Sequence, residues 1–80
     1  MTTTITTLEH ISDIVVEVVP DLEGRIQPTA RLGAELGVDS LSIVNIVMKI
    51  EQVFGIAIDD NEFDQLQSVQ DIFDLVLQRQ

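Results

Sequence analysis

Eighty residues without a single cysteine leave room for one small domain, residues 1–80, in which neither disulfides nor thiolate metal sites contribute and packing of the 45% apolar residues must supply the stability. A formal net charge of −10 opposes electrostatic binding to nucleic acid or an anionic membrane and favours basic patches on protein partners. No run of about 18 apolar residues occurs, and the Thr-rich start has neither a basic segment nor a cleavable apolar core, so a soluble, untargeted, cytoplasmic protein without membrane insertion is expected.

Ile5, Leu8, Ile11, Val15 and Val18 recur at spacings of three and four, which predicts a first helix from about Thr4 to Val19, closed by Pro20. Thr6 with Glu9 offers a capping box if the helix begins late. The β-branched run Val15, Val16, Val18 and Val19 has some strand propensity, but the periodicity and the lack of a pairing segment favour helix. His10 falls off the apolar stripe and reads as a surface residue. From Asp21 to Asp39, Gly24, Pro28, Gly33 and Gly37 forbid a continuous helix, while Ile26, Leu32, Leu36 and Val38 suggest a loop pinned to the core. A loop this long in a compact domain is more often functional than accidental.

A second helix is predicted from Leu41 to Phe54, stopped by Gly55. Ile56-Ala57-Ile58 reads as an extended anchor, Asp60 to Leu66 as a short helical turn, and Ser68 with Asp71 as the opening of a last helix whose stripe is Val69, Ile72, Phe73, Val76 and Leu77. The fold class is therefore all-α: a small four-helix bundle, three longer helices plus one short, with a long loop between helices 1 and 2, expected to be a monomer.

Projected at 100° per residue, the second helix gathers Ser42, Asn45, Lys49 and Gln52 in one narrow arc, isolates Glu51 and is otherwise almost wholly apolar, so it is expected at the centre of the bundle. Leu41 and Met48 flank the polar arc as large apolar side chains at the solvent edge, which suits a docking surface. Gly37 and Asp39 supply a turn and a cap just before it, so Ser40 should be exposed at a helix N-terminus. Unpaired amides and the positive end of the helix dipole favour an anionic group there.

Other chemistries find little support. A serine hydrolase needs a base near Ser40, His10 is the sole histidine, and the segment Gly37-Val38-Asp39-Ser40-Leu41 lacks the second glycine of a nucleophile elbow. Asp59, Asp60, Asn61, Glu62 and Asp64 fail the EF-hand template, having no glycine at the sixth place and no twelfth-position Glu, so no metal site is assigned.

The triplet Asp39-Ser40-Leu41 at the head of the second helix resembles the hallmark of the acyl carrier proteins. Val44, Val47, Met48, Glu51, Phe54, Ile58, Asp60, Val69 and Gln70 fall in register with that family's pattern without a gap. The resemblance implies a non-catalytic carrier with 4′-phosphopantetheine, taken from coenzyme A, esterified to Ser40 between Asp39 and Leu41. It implies as partners a phosphopantetheinyl transferase and acyl-loading and acyl-transferring enzymes with basic patches, meeting Leu41, Ser42, Asn45, Met48, Lys49, Glu51 and Asp60. Ile43, Ile46, Val47, Ile50, Ile58, Phe63, Leu66 and Ile72 are the side chains that would part to shelter an acyl chain or else form a closed core.

Ser42, Asn45 and Lys49 depart from the family pattern, being acidic, acidic, and small or acidic in typical fatty-acid carriers. They lower the negative potential of that face, although Glu51, Asp59, Asp60, Glu62 and Asp64 keep an acidic ridge. The departures point to a specialised carrier serving a polyketide, nonribosomal-peptide or dedicated acyltransferase pathway, with a primary fatty-acid carrier, an aminoacyl or peptidyl carrier, and an unmodified acidic helical adaptor as the other readings.

Overall fold

The computed structural model describes residues 8–79. Among them are three α-helices, α1 (Leu8–Val18), α2 (Ser40–Phe54) and α3 (Val69–Arg79), with short 3₁₀ helices at Pro20–Leu22 and Asp60–Gln65. The all-helical class and the three-plus-one arrangement thus hold. Ile5, the first turn expected of helix 1 and the Thr6 side of its capping box lie outside the described residues.

α1 buries Ile11, Ile14 and Val15 in its middle turns, a three-four stripe that adds Ile14 to the expected positions, with Leu8 and Val18 partly buried at its ends. Pro20 cannot continue the helix for want of an N–H, and the chain tightens instead into Pro20–Leu22 with proline at its start. That turn drives Leu22, unremarked in the sequence pattern, into the core at 2% exposure.

The long connection is held by more than its apolar anchors. Leu32 and Val38 are buried and Ile26 and Leu36 pack against the core, but backbone bonds also stitch the loop to the entry of α3. Leu32 N–H donates to the Gln67 carbonyl at 2.8 Å, Gln70 N–H donates to the Pro28 carbonyl at 2.9 Å, and Arg31 and Ser68 form an antiparallel bridge. A loop carrying its own backbone donors and acceptors into the core region needs such partners.

α2 ends as its glycine dictates. Gly55 takes φ +66°, and the Glu51 carbonyl accepts N–H bonds from both Gly55 (2.9 Å) and Ile56 (3.2 Å), satisfying an otherwise orphaned acceptor. The extended segment after it is tied back by the Ile58 N–H, which donates to the Glu51 carboxylate at 2.9 Å. α3 opens on the expected reciprocal box: Asp71 N–H donates to Ser68 Oγ at 3.2 Å, while Ser68 and Gln67 N–H both donate to Asp71 Oδ2.

Two expectations are corrected. The centre of the bundle is α1, which packs along both α2 and α3 while those two make little direct contact. An apolar composition did not put α2 in the middle: it buries Ile46, Val47 and Ile50, three side chains as in α1, but packs along one helix where α1 packs along two. In α3, Val69, Ile72 and Val76 form the buried face, but Leu77 is 51% exposed, since it lies about 100° around the helix from Val76.

Candidate functional site

Ser40 is the first residue of α2, and its side chain is exposed. Three neighbours set that position. Val38 is buried, which fixes the loop against the core, and Gly37 before it turns the chain at φ +73°. Asp39 is the N-cap in extended conformation, its Oδ1 accepting the Ser42 N–H at 2.8 Å.

The Asp39 carboxyl is held below its ordinary value, first by the hydrogen bond from the Ser42 amide and then by one from the Ser42 hydroxyl. The Ile43 N–H closes the first helical bond onto the Asp39 carbonyl at 3.1 Å. Ser42 and Ile43 are therefore provided for, whereas no acceptor among the described residues takes the Ser40 and Leu41 amides. These two donors lie at the positive end of the helix dipole, on Ser40 itself and on the residue after it.

A groove of about 440 Å³ opens one turn below, bounded by the loop at Arg31, Gly33 and Ala34, by Ile43 of α2 and by Phe63, Asp64, Leu66 and Gln67. Of the side chains proposed to shelter a cargo, Phe63 and Leu66 line this groove together with Ile43. Ile46, Val47, Ile50, Ile58 and Ile72 do not line it; they belong to the closed core at 0–7% exposure. Arg31, Asp64 and Gln67 give the groove a polar rim that the apolar pattern could not announce.

The residues expected to meet partners separate into two groups. Leu41 (71%) and Met48 (50%) are the exposed apolar side chains foreseen, and Asn45 and Asp60 are exposed too. The rest are engaged within the fold. Ser42 binds Asp39, Glu51 holds Ile58, and Lys49 Nζ lies 2.6 Å from Glu17 Oε1, tying α2 to α1.

The acidic ridge is partly spent in the same way. Glu62 accepts the Asp59 N–H at 3.0 Å and pairs with Arg79, whose other nitrogen donates to the Ala57 carbonyl at 2.7 Å. Arg79, which the sequence pattern did not single out, thus joins the end of α3 to the short helix and to the segment before it.

His10 is not a free surface residue. Its ring packs edge-on against Phe54, with centroids 5.2 Å apart. Phe54 is the last residue of α2 and Ser40 the first, a separation of about 21 Å along the axis, so His10 cannot act as a base for the Ser40 hydroxyl. No helix among the described residues is long and apolar enough to cross a membrane.

Comparison with known proteins places this geometry. The sequence model of the family described as "Phosphopantetheine attachment site" matches residues 9–76, and the chain belongs to that family of acyl carrier proteins. It is 36% identical over 64 residues to the acyl carrier protein of Campylobacter hominis, covering 80% of this chain and 81% of that protein. To the acyl carrier protein of Rickettsia bellii it is 34% identical over 73 residues, covering 86% and 85%. The chain is accordingly a carrier and not an enzyme, with a covalent 4′-phosphopantetheine as its prosthetic group and with a phosphopantetheinyl transferase, synthases and acyltransferases as its general class of partner.

Proposed function

We propose that Ser40 carries the 4′-phosphopantetheine and that the chain ferries acyl intermediates in a specialised acyl pathway rather than in bulk fatty-acid synthesis. The observation that carries this reading is the exposed hydroxyl at the first residue of α2, behind the Asp39 cap and beside two amides without a protein acceptor. The prosthetic group supplies a terminal thiol for thioester formation, which a cysteine-free chain cannot supply itself.

The chain's own residues perform the rest. Asp39 fixes the start of α2 and so the direction of Ser40. The Ser40 and Leu41 amides and the helix dipole favour the phosphodiester charge. The groove edged by Ile43, Phe63 and Leu66 offers apolar surface to whatever the arm bears. Leu41, Ser42, Asn45, Met48, Lys49, Glu51 and Asp60 remain the residues we assign to partner contact, of which Ser42, Lys49 and Glu51 act mainly by holding the fold beneath the exposed ones.

The specialised pathway is supported by the uncharged Ser42 and Asn45 and the ion-paired Lys49 on the outer side of α2. A second reading, an aminoacyl or peptidyl cargo, is favoured by the sealed core and the polar rim at Arg31, Asp64 and Gln67, which suit a small polar group. A monomer in the cytoplasm accords with the strong like charge and the lack of cysteine.

Incubation with coenzyme A and a phosphopantetheinyl transferase, read by intact mass, tests the assignment. The wild-type chain should gain one prosthetic group; no gain would remove the carrier assignment of Ser40.

A further inference from the structure

Gly33 is the one glycine of this chain without a backbone reason to be glycine: it lies outside the left-handed region that Gly24, Gly37 and Gly55 occupy. Close packing does not require it either. A Cβ at this position would stand 3.7 Å from the Val38 carbonyl oxygen and 4.0 Å from Ile43 Cδ1, ordinary van der Waals separations. What Gly33 borders is open space, the groove of about 440 Å³ one turn below Ser40.

The loop wall that carries Gly33 is fixed in place. Leu32 beside it is 1% exposed and donates its N–H to the Gln67 carbonyl, Arg31 bridges Ser68, and the Gly33 carbonyl accepts the Gly37 N–H at 3.2 Å. Ile43 and Phe63, packed against the core, supply apolar surface to the same groove. Arg31 and Gln67 line it too, and they also line an adjoining, more polar hollow with Thr29, Ser68, Gln70 and Asp71.

We propose that Gly33 sets which cargo this carrier holds: a short acyl group, borne by the arm on Ser40, lies against Gly33 in this groove and outside the core. This rests on Ser40 bearing the arm. Two features limit the cargo to a short one. The groove lies near the lower end of the roughly 300–1,000 Å³ usual for ligand pockets, and a chain running on past Arg31 and Gln67 would set its methylenes against polar groups. Turning inward instead would displace Ile46, Ile50 and Ile72, which are 0–1% exposed in a close-packed core. A bulky side chain at position 33 would take the place of the cargo.

Transfer of the whole acyl-bearing arm from butanoyl- or dodecanoyl-coenzyme A by a phosphopantetheinyl transferase of broad specificity, beside the plain arm from coenzyme A, gives a matched set of carriers. On the wild type the butanoyl group should raise the thermal midpoint by a few degrees over the plain arm. It should shift the NMR signals of Gly33, Ile43 and Phe63 and leave those of Ile46, Ile50 and Ile72 in place. The dodecanoyl group should add no further rise. Gly33→Leu should load normally with unchanged circular dichroism, yet lose both the rise and the shifts, and Ala34→Leu on the same wall should lose the rise as well. Gly33→Ala should melt no lower than the wild type.

A rise that persists in Gly33→Leu, or in Ala34→Leu where the first variant does not fold, would overturn the proposal. Shifts at Ile46 and Ile72 that grow from butanoyl to dodecanoyl would put the cargo inside the bundle and overturn it too, as would a wild type that butanoyl neither stabilises nor shifts. A Gly33→Ala midpoint several degrees below wild type would return the glycine to a backbone role. No loading of the wild type at all would remove the Ser40 assignment and the cargo site with it, whereas normal loading with any of the other contrary results removes the role of Gly33 alone.

Discussion

Two serines stand at two helix entrances of this molecule, and they have opposite fates. Ser68 precedes α3, is 6% exposed, and shares a reciprocal box with Asp71 while its neighbours are bonded to the long loop. Ser40 begins α2, is exposed, and leaves the capping to Asp39 on its N-terminal side. Similar local chemistry, a small hydroxyl and an acidic side chain within three residues of it at a helix start, gives a structural part in one place and a presented group in the other. What separates them is which residue of the pair caps. Where the serine is the cap its hydroxyl is consumed; where the aspartate caps, the hydroxyl is left over.

Exchanging the two hydroxyls gives the largest contrast. Ser40→Ala should abolish loading while leaving the thermal midpoint within about a degree of wild type, since a first-turn Ser to Ala change is nearly neutral for the helix. Ser68→Ala should do the reverse, loading fully but losing about 1 kcal/mol of cap, or roughly 4–8 °C in midpoint. Intact mass and a calorimetric scan on both variants check this, and loading lost in Ser68→Ala would dissolve the comparison.

Asp39 links the two properties. Asp39→Ala should lower the midpoint by several degrees and slow loading, because the cap and the presentation of Ser40 are one arrangement. Its depressed carboxyl also sets a direction with pH. The stabilisation is fully present above the unfolded-state value near pH 4 and is lost as pH falls through the lower folded-state value. The midpoint difference between wild type and Asp39→Ala should therefore be constant above about pH 5 and shrink toward about pH 3. A difference that grows on acidification would contradict the cap.

The smallest effect concerns charge outside both caps. Asp60 and Asp64 are exposed, and the chain carries −10. Millimolar Mg²⁺ should raise the midpoint by a few degrees through screening of that self-repulsion. An unchanged or lower midpoint would show that the acidic surface does not strain the fold.

The parts of this fold written in local spacing were legible beforehand. The αL turn at Gly55, the Asp39 cap, the Ser68–Asp71 box and the outward Leu41 and Met48 each depend on residues within four positions of one another or on one helix projection. What was not legible depends on distant partners. Leu32 meeting Gln67, Arg79 reaching Ala57 and Glu62, and His10 seated on Phe54 leave no periodic trace in the chain.

The expectation of α2 at the centre failed for a related reason. Apolar content measures how much surface a helix needs covered, but not how many neighbours cover it, and α1 meets two. The groove suffered similarly: its polar rim comes from the loop and the short helix, whereas the apolar positions of α2 that suggested a cavity are packed shut.

The most direct measurement is the position of the adduct. After loading from coenzyme A, digestion and fragment mass spectrometry discriminate among Ser12, Ser40, Ser42 and Ser68. All of the added mass is predicted on Ser40; mass on any other serine, or spread over several, would contradict the central claim that the Asp39 cap frees this one hydroxyl for attachment.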